Sequence, residues 1–158
     1  ASDPAPAHAM VRAILDRFAE RPEPAIARHA ALIGKCFQGQ TIDDIVQALE
    51  RDSSDFARET LAVLAQKSPT SLKVTMAQLR RHADLSLDAA LALEFRISQA
   101  FMAAADFHEG VRAVLVDKDQ KPRWQPATLD QVSEAAVAKF FLPAANGELG
   151  FDPPRRRG

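Results

Sequence analysis

Apolar residues recur along the chain at three- and four-residue intervals, the period of one face of an α-helix. No stretch alternates apolar with polar residues long enough to make a strand. The pattern predicts an all-α fold of seven to eight helices. The first covers 8–19, with Met10, Ile14 and Phe18 at i, i+4 and i+8, and stops ahead of Pro22 and Pro24. A second covers 25–37 and ends near Gly39. Thr41 opens the third: its hydroxyl is placed to accept from an orphan amide while Asp44 faces back, and Ile42, Ile45, Val46 and Leu49 form the buried stripe. Ser53 or Ser54 starts a fourth helix that buries Phe56, Leu61 and Leu64. Ser68-Pro69 then restarts the chain with a cap and a first-turn proline, giving a fifth helix to about His82.

Ser86 caps the sixth helix, in which Leu87, Leu91, Phe95 and Met102 line one face and Leu93, Ile97 and Phe101 an adjacent one. An arc that wide predicts a helix buried between several neighbours, at the centre of the fold. A seventh helix is expected over 106–117. Thr128 with Gln131 has the pattern of a capping box for an eighth, over 128–142. Residues 1–7 read as a linker, 8–142 as one helical domain and 143–158 as a flexible tail, because Gly147, Gly150, Pro153, Pro154 and the Arg155 to Arg157 run offer no packing face.

Composition narrows the function without naming it. At 158 residues, 47% hydrophobic and 26% charged, the chain is an ordinary soluble globular unit. A formal charge of −1, with basic residues scattered among acids, makes no field that would gather nucleic acid or an anionic membrane. The one cysteine, Cys36, cannot form an internal disulfide, which suits a reducing compartment: the cytoplasm, or the mitochondrial matrix of a eukaryote. No window approaches the roughly 18 apolar residues that span a bilayer, and the Pro-rich start lacks the basic and apolar regions of a signal peptide.

The usual chemical constellations are mostly missing. Six glycines supply neither a dinucleotide turn nor a Walker loop. His8, His29, His82 and His108 are not spaced as helical ligand pairs, so no metal site is expected. Cys36 and His29 lie two turns apart on one helix face, about 10 Å along the axis, too far to form a nucleophile and base; Cys36 reads as a small buried hydrophobe. Asp106 and Glu109 flank His108 and have the look of an acid pair, yet as N-cap and N3 of a helix they would serve only to satisfy orphan amides. Glu94 and Arg96 lie inside the most apolar helix, where an unpaired charge is expensive, so each is expected to have a partner in a buried structural pair rather than to form a site.

The run Leu93-Glu94 through Phe101, followed by Asp106-Phe107-His108-Glu109-Gly110-Val111-Arg112-Ala113, resembles the C-terminal signature of the crotonase (enoyl-CoA hydratase/isomerase) superfamily, whose core is Phe-x-Glu-Gly-x-x-Ala. Most crotonases continue with Glu-Lys-Arg and then Pro-x-Phe. Here the chain reads Val116-Asp117-Lys118-Asp119-Gln120-Lys121-Pro122-Arg123-Trp124, which is similar to the 3-hydroxyisobutyryl-CoA hydrolase branch, as are Ser68 to Thr75 and Glu94 to Gln99. The likeness covers about 37–141.

The resemblance implies the C-terminal helical domain of a crotonase-like protein. In that family the catalytic carboxylates and the thioester oxyanion donors belong to an N-terminal spiral domain, and such donors are typically worth about 3 to 4 kcal/mol each. No catalytic residue is therefore assigned, and the chain alone is expected to be inactive. What it is expected to supply is part of the coenzyme A pocket, through Lys118, Lys121, Arg123 and Trp124: cations for phosphates and an indole for stacking. No tightly bound cofactor is implied beyond the CoA moiety of an acyl-CoA substrate. The expected partner is the N-terminal spiral domain, with self-association into a homo-oligomer as another way to cover an apolar scar. The alternatives are the C-terminal domain of an enoyl-CoA hydratase or isomerase, and a non-catalytic helical module offering a groove to a partner helix. Since Ala1 follows no initiator methionine, truncation is the favoured account of the missing half.

Overall fold

The computed structural model describes residues 5–19, 23–144 and 147–151. The expectations for 1–4, 20–22, 145–146 and 152–158, including the terminal arginine run, lie outside the described residues. Among those described there is no strand, and the regular elements are helices. The chain divides into two compact units, Ala1–Gly34 and Lys35–Gly158.

The first unit carries α1 (Ala5–Phe18) and a 3-10 turn, Ala25–His29, entered from Pro24. The apolar side chains of α1 at Met10, Val11, Ile14, Leu15 and Phe18 repeat at helical spacing, and all are exposed. The second expected helix breaks into that 3-10 turn and a short α2, Ala30–Cys36.

The second unit opens with four helices that start where their polar caps predict. In α3 (Ile42–Glu50) Thr41 Oγ1 accepts from Asp44 N while Asp44 Oδ2 accepts from Thr41 N, a reciprocal capping box that leaves the Asp44 carboxyl below its usual range. Ser54 caps α4 (Asp55–Leu64), Ser68 caps α5 (Pro69–His82) with proline in the first turn, and Ser86 caps α6 (Leu87–Met102). Two apolar clusters hold these helices together. One gathers Cys36, Ile42, Ile45, Leu49 and Ala57, with Leu61 and Leu64 at its edge; the other gathers Val74, Leu93, Ile97, Val132 and Val137. Cys36 is buried with its thiol facing Ala48 O, as a small hydrophobe would be.

Three expectations are corrected. The sixth helix is not surrounded: Leu93 and Ile97 are buried, but Leu87, Leu91 and Met102 are exposed, because packing here claims only one side of the wide apolar arc. Glu94 and Arg96 each have a partner, as expected, but neither is buried. Glu94, exposed, takes the Gln78 amide and faces His82, while the half-buried Arg96 reaches Glu148 at 2.6 Å. The eighth helix splits into a 3-10 turn at Leu129–Gln131, α8 at Glu134–Ala138 and a 3-10 turn at Lys139–Phe141. Thr128 makes no side-chain cap; Gln131 instead takes the Ala127 amide, and Ser133 supplies the cap that starts α8.

Candidate functional site

The segment that follows α7 (Ala105–Val111) is built around carboxylates. The helix runs on through a wide π-turn, Arg112–Val116, closed by Asp117 N donating to Arg112 O at 2.8 Å. The backbone then crosses the left-handed region at Lys118 and Gln120, both with φ of 56°, a conformation that costs a non-glycine residue about 1 kcal/mol and persists only when its surroundings impose it. Gln120 N returns to Ala113 O at 3.1 Å, tying the turn to the end of the helix.

From Lys121 onward every second amide is spoken for. Lys121 N donates to Asp119 Oδ1 (2.9 Å), Arg123 N to Glu109 Oε1 (2.7 Å) and Gln125 N to Asp106 Oδ1 (2.8 Å). Burial alternates in step: Lys121, Arg123 and Gln125 are exposed, while Pro122, Trp124 and Pro126 are half-buried. This is the two-residue period of extended backbone. Lys121 and Arg123 therefore share the outer face, with Lys118 exposed a short way before them. Trp124 turns inward: its indole N–H donates to Gln66 O at 3.0 Å and its ring lies against α7, where a Cβ on Gly110 would come within 3.3 Å of it. The structure thus groups Lys118, Lys121 and Arg123 on one exposed segment and sets Trp124 on the opposite side, in the wall of an apolar groove of about 440 Å³ with Phe101, Phe107, Val111 and Leu115.

Asp106 and Glu109 are neither a catalytic pair nor caps. Ala104 is the N-cap of α7, and Asp106 is buried within its first turn, receiving Ser68 Oγ (2.5 Å) on one oxygen and Gln125 N on the other. Glu109 takes two bonds from the Arg112 guanidinium and one from Arg123 N; these hold its carboxyl down at about 2, chiefly through Arg112. Arg112 also reaches Asp117 (2.6 Å), Asp119 (2.8 Å) and Lys121 O (3.2 Å), and its acidic partners raise its already high pKa. Sequence reasoning missed this hub. The signal available was the bracketing of one arginine by acids at −3, +5 and +7.

A second hollow, of about 570 Å³, lies among Thr41, Ile42, Lys73, Arg80, Arg81 and Val137. Its cations are engaged internally: Lys73 with Val132 O and Asp43, Arg80 with Gly39 O and Gln40 O, Arg81 over the Phe141 ring. Among the described residues no group of three His, Cys, Asp or Glu side chains is arranged to hold a metal, and no helix is long and apolar enough to cross a membrane.

The signature Phe-x-Glu-Gly-x-x-Ala can now be read physically: Glu109 holds the loop, Gly110 admits Trp124, and Ala113 packs with no exposed surface. The sequence profile of the enoyl-CoA hydratase/isomerase family matches residues 1–141, and the chain belongs to that family. It is 45% identical over 130 residues to the mitochondrial 3-hydroxyisobutyryl-CoA hydrolase of Gallus gallus, covering 82% of this chain and 34% of the relative. To the human protein of the same name it is 44% identical, covering 80% of this chain and 33% of the relative. Among solved structures it resembles a carnitinyl-CoA dehydratase from Mycobacterium thermoresistibile (TM-score 0.76, 38% identity, 82% of this chain and 37% of that one). An enoyl-CoA hydratase from Rhodobacter sphaeroides 2.4.1 is similar at TM-score 0.76 and 29% identity, over 95% of this chain and 46% of that one. The chain spans about a third of the length of the curated relatives it matches.

Proposed function

We propose that this chain is the helical C-terminal portion of an acyl-CoA thioester hydrolase of the 3-hydroxyisobutyryl-CoA type, a step of valine breakdown, acting in the mitochondrial matrix or cytoplasm. The observation that carries the reading is the 45% identity to a hydrolase of that name across 82% of the chain. Its own contribution is recognition. Lys118, Lys121 and Arg123 stand on one exposed segment, and none of them donates a side-chain hydrogen bond to another described residue, which leaves three cations available to the phosphates of coenzyme A. Trp124 serves the same pocket from the inside, as the post that fixes the segment against α7. The thioester chemistry belongs to an N-terminal spiral portion, which also covers the exposed apolar side chains of α6, Leu87, Leu91 and Met102.

The test is reconstitution: hydrolysis of 3-hydroxyisobutyryl-CoA by this chain alone, by the N-terminal portion alone, and by the two mixed. Activity confined to the mixture is the expected result; activity of this chain alone overturns the division of labour. A second reading, hydration or isomerisation of an acyl-CoA, is favoured by the likeness to a dehydratase and a hydratase. It predicts that the mixture hydrates an enoyl-CoA and leaves the thioester intact.

A further inference from the structure

Arg112 has spent every donor it owns. A guanidinium carries five N–H groups. Here Nε donates to Glu109 Oε2, Nη1 to Asp117 Oδ2 and Asp119 Oδ2, and Nη2 to Glu109 Oε1 and Lys121 O. It has nothing left to offer a ligand, so whatever it does for recognition it does through its neighbours. Those neighbours are the loop itself. Asp117 and Asp119 bracket the left-handed Lys118, Asp119 holds the amide of Lys121, and Glu109 holds that of Arg123.

Charge adds a second effect. The acids Glu109, Asp117 and Asp119 match the cations Lys118, Lys121 and Arg123 one for one, so without Arg112 the cluster is formally neutral and presents three carboxylates with no guanidinium beside them to an approaching phosphate. With Arg112 in place the carboxylates are consumed and the cluster is left with one net positive charge. We infer that Arg112 is a positioning residue for coenzyme A recognition: it fixes the loop from Asp117 to Arg123 and occupies its acids, so that Lys118, Lys121 and Arg123 face the nucleotide phosphates. The inference rests on the proposed contact between those three cations and the cofactor portion of the substrate. Replacement by lysine keeps the charge but loses the planar fork that serves three carboxylates at once.

The test uses the enzyme reconstituted from this chain and its N-terminal portion, with the CoA thioester compared against the pantetheine thioester, which lacks the nucleotide phosphates. Arg112→Gln is expected to raise KM for the CoA ester about tenfold, the scale of one charge-assisted contact, with kcat changed less than twofold and KM for the pantetheine ester unmoved. Arg112→Lys falls between Arg112→Gln and the parent. Asp119→Asn, an exposed position that threatens no core, shifts KM in the same direction by a smaller factor. In amide exchange on the same variants, Lys121 and Arg123 lose protection. If Lys121→Gln/Arg123→Gln raises KM for the CoA ester while Arg112→Gln and Asp119→Asn do not, the role given to Arg112 is wrong and the CoA contact stands. Equal losses on both esters, or a loss in kcat alone, reduce Arg112 to a structural residue and overturn the inference. No rise in KM for Lys121→Gln/Arg123→Gln, or no activity in the mixture, overturns the underlying reading and the inference with it.

Discussion

Helices α3 to α6 and the segment after α7 solve the same problem, how to satisfy backbone amides, in opposite ways. The helices do it locally: Thr41, Ser54, Ser68 and Ser86 each accept from an amide three residues on. The segment does it at a distance, with Glu109 and Asp106 taking amides 14 and 19 residues away. Local capping lets each helix start independently of its neighbours. Long-range capping makes the loop's shape conditional on α7, and in return an extended stretch without a sheet acquires a fixed conformation. Rigidity of this kind suits a recognition surface, because less conformational entropy is lost when a ligand arrives.

The contrast is open to attack at several points. Leu49→Ala, at a fully buried position of the first cluster, should cost about 4 kcal/mol in chemical denaturation and lower the whole second unit's stability together. Asp106→Ala leaves the Ser68 hydroxyl and the Gln125 amide without their acceptor. It should cost about 2 kcal/mol and, unlike the core change, release amide protection selectively at Gln125. Ser54→Ala removes only a local cap and should cost about 1 kcal/mol, with no change in the environment of Trp124. Gly110→Ala inverts an ordinary rule. A helical glycine replaced by alanine normally gains about 1 kcal/mol, but here the new methyl meets the Trp124 ring, whose N–H bond to Gln66 stops it from retreating. No gain in denaturation midpoint is expected, together with a shift in the fluorescence of the chain's single tryptophan.

Acid should separate the two regions as well. Glu109 is held down at about 2 from an ordinary 4.5 by its hydrogen bonds to Arg112 and Arg123, so its contribution is complete above 4.5 and is lost as pH falls through about 2. Trp124 fluorescence followed from pH 5 to pH 2 should therefore report loosening of the loop in the parent. In Arg112→Gln the same change should begin at higher pH, because the carboxyl has lost its main stabilising partner.

The difference between the regions also sets what the amino-acid order reveals. Ser-x-x and Thr-x-x-Asp at a helix start carry their meaning within four residues, so the starts of α3, α5 and α6 are readable directly. Asp106 and Glu109 have the same local look, three apart at the head of a helix, yet they serve partners that only the folded chain brings near. A windowed reading assigns them to the helix because it has no access to Gln125 or Arg123. The wide arc of α6 misleads for a related reason. An apolar stripe shows what a helix is able to bury, whereas Leu87, Leu91 and Met102 stay exposed among the described residues. Lys118, Lys121 and Arg123 are visible as a basic run. That Trp124 turns away from them follows from the alternation of extended backbone, which becomes readable only once the segment is known not to be helical.

The prolines at 122 and 126 have a use of their own in that alternation. The amides of Lys121, Arg123 and Gln125 point inward and are consumed, so an incoming strand would have to pair through the other set, at 122, 124 and 126. Two of those three positions have no N–H to give. An exposed, extended, rigid stretch is ordinarily a template for sheet growth between molecules. Here the template is blunted by its own sequence, so the segment can lie open at the surface without inviting aggregation.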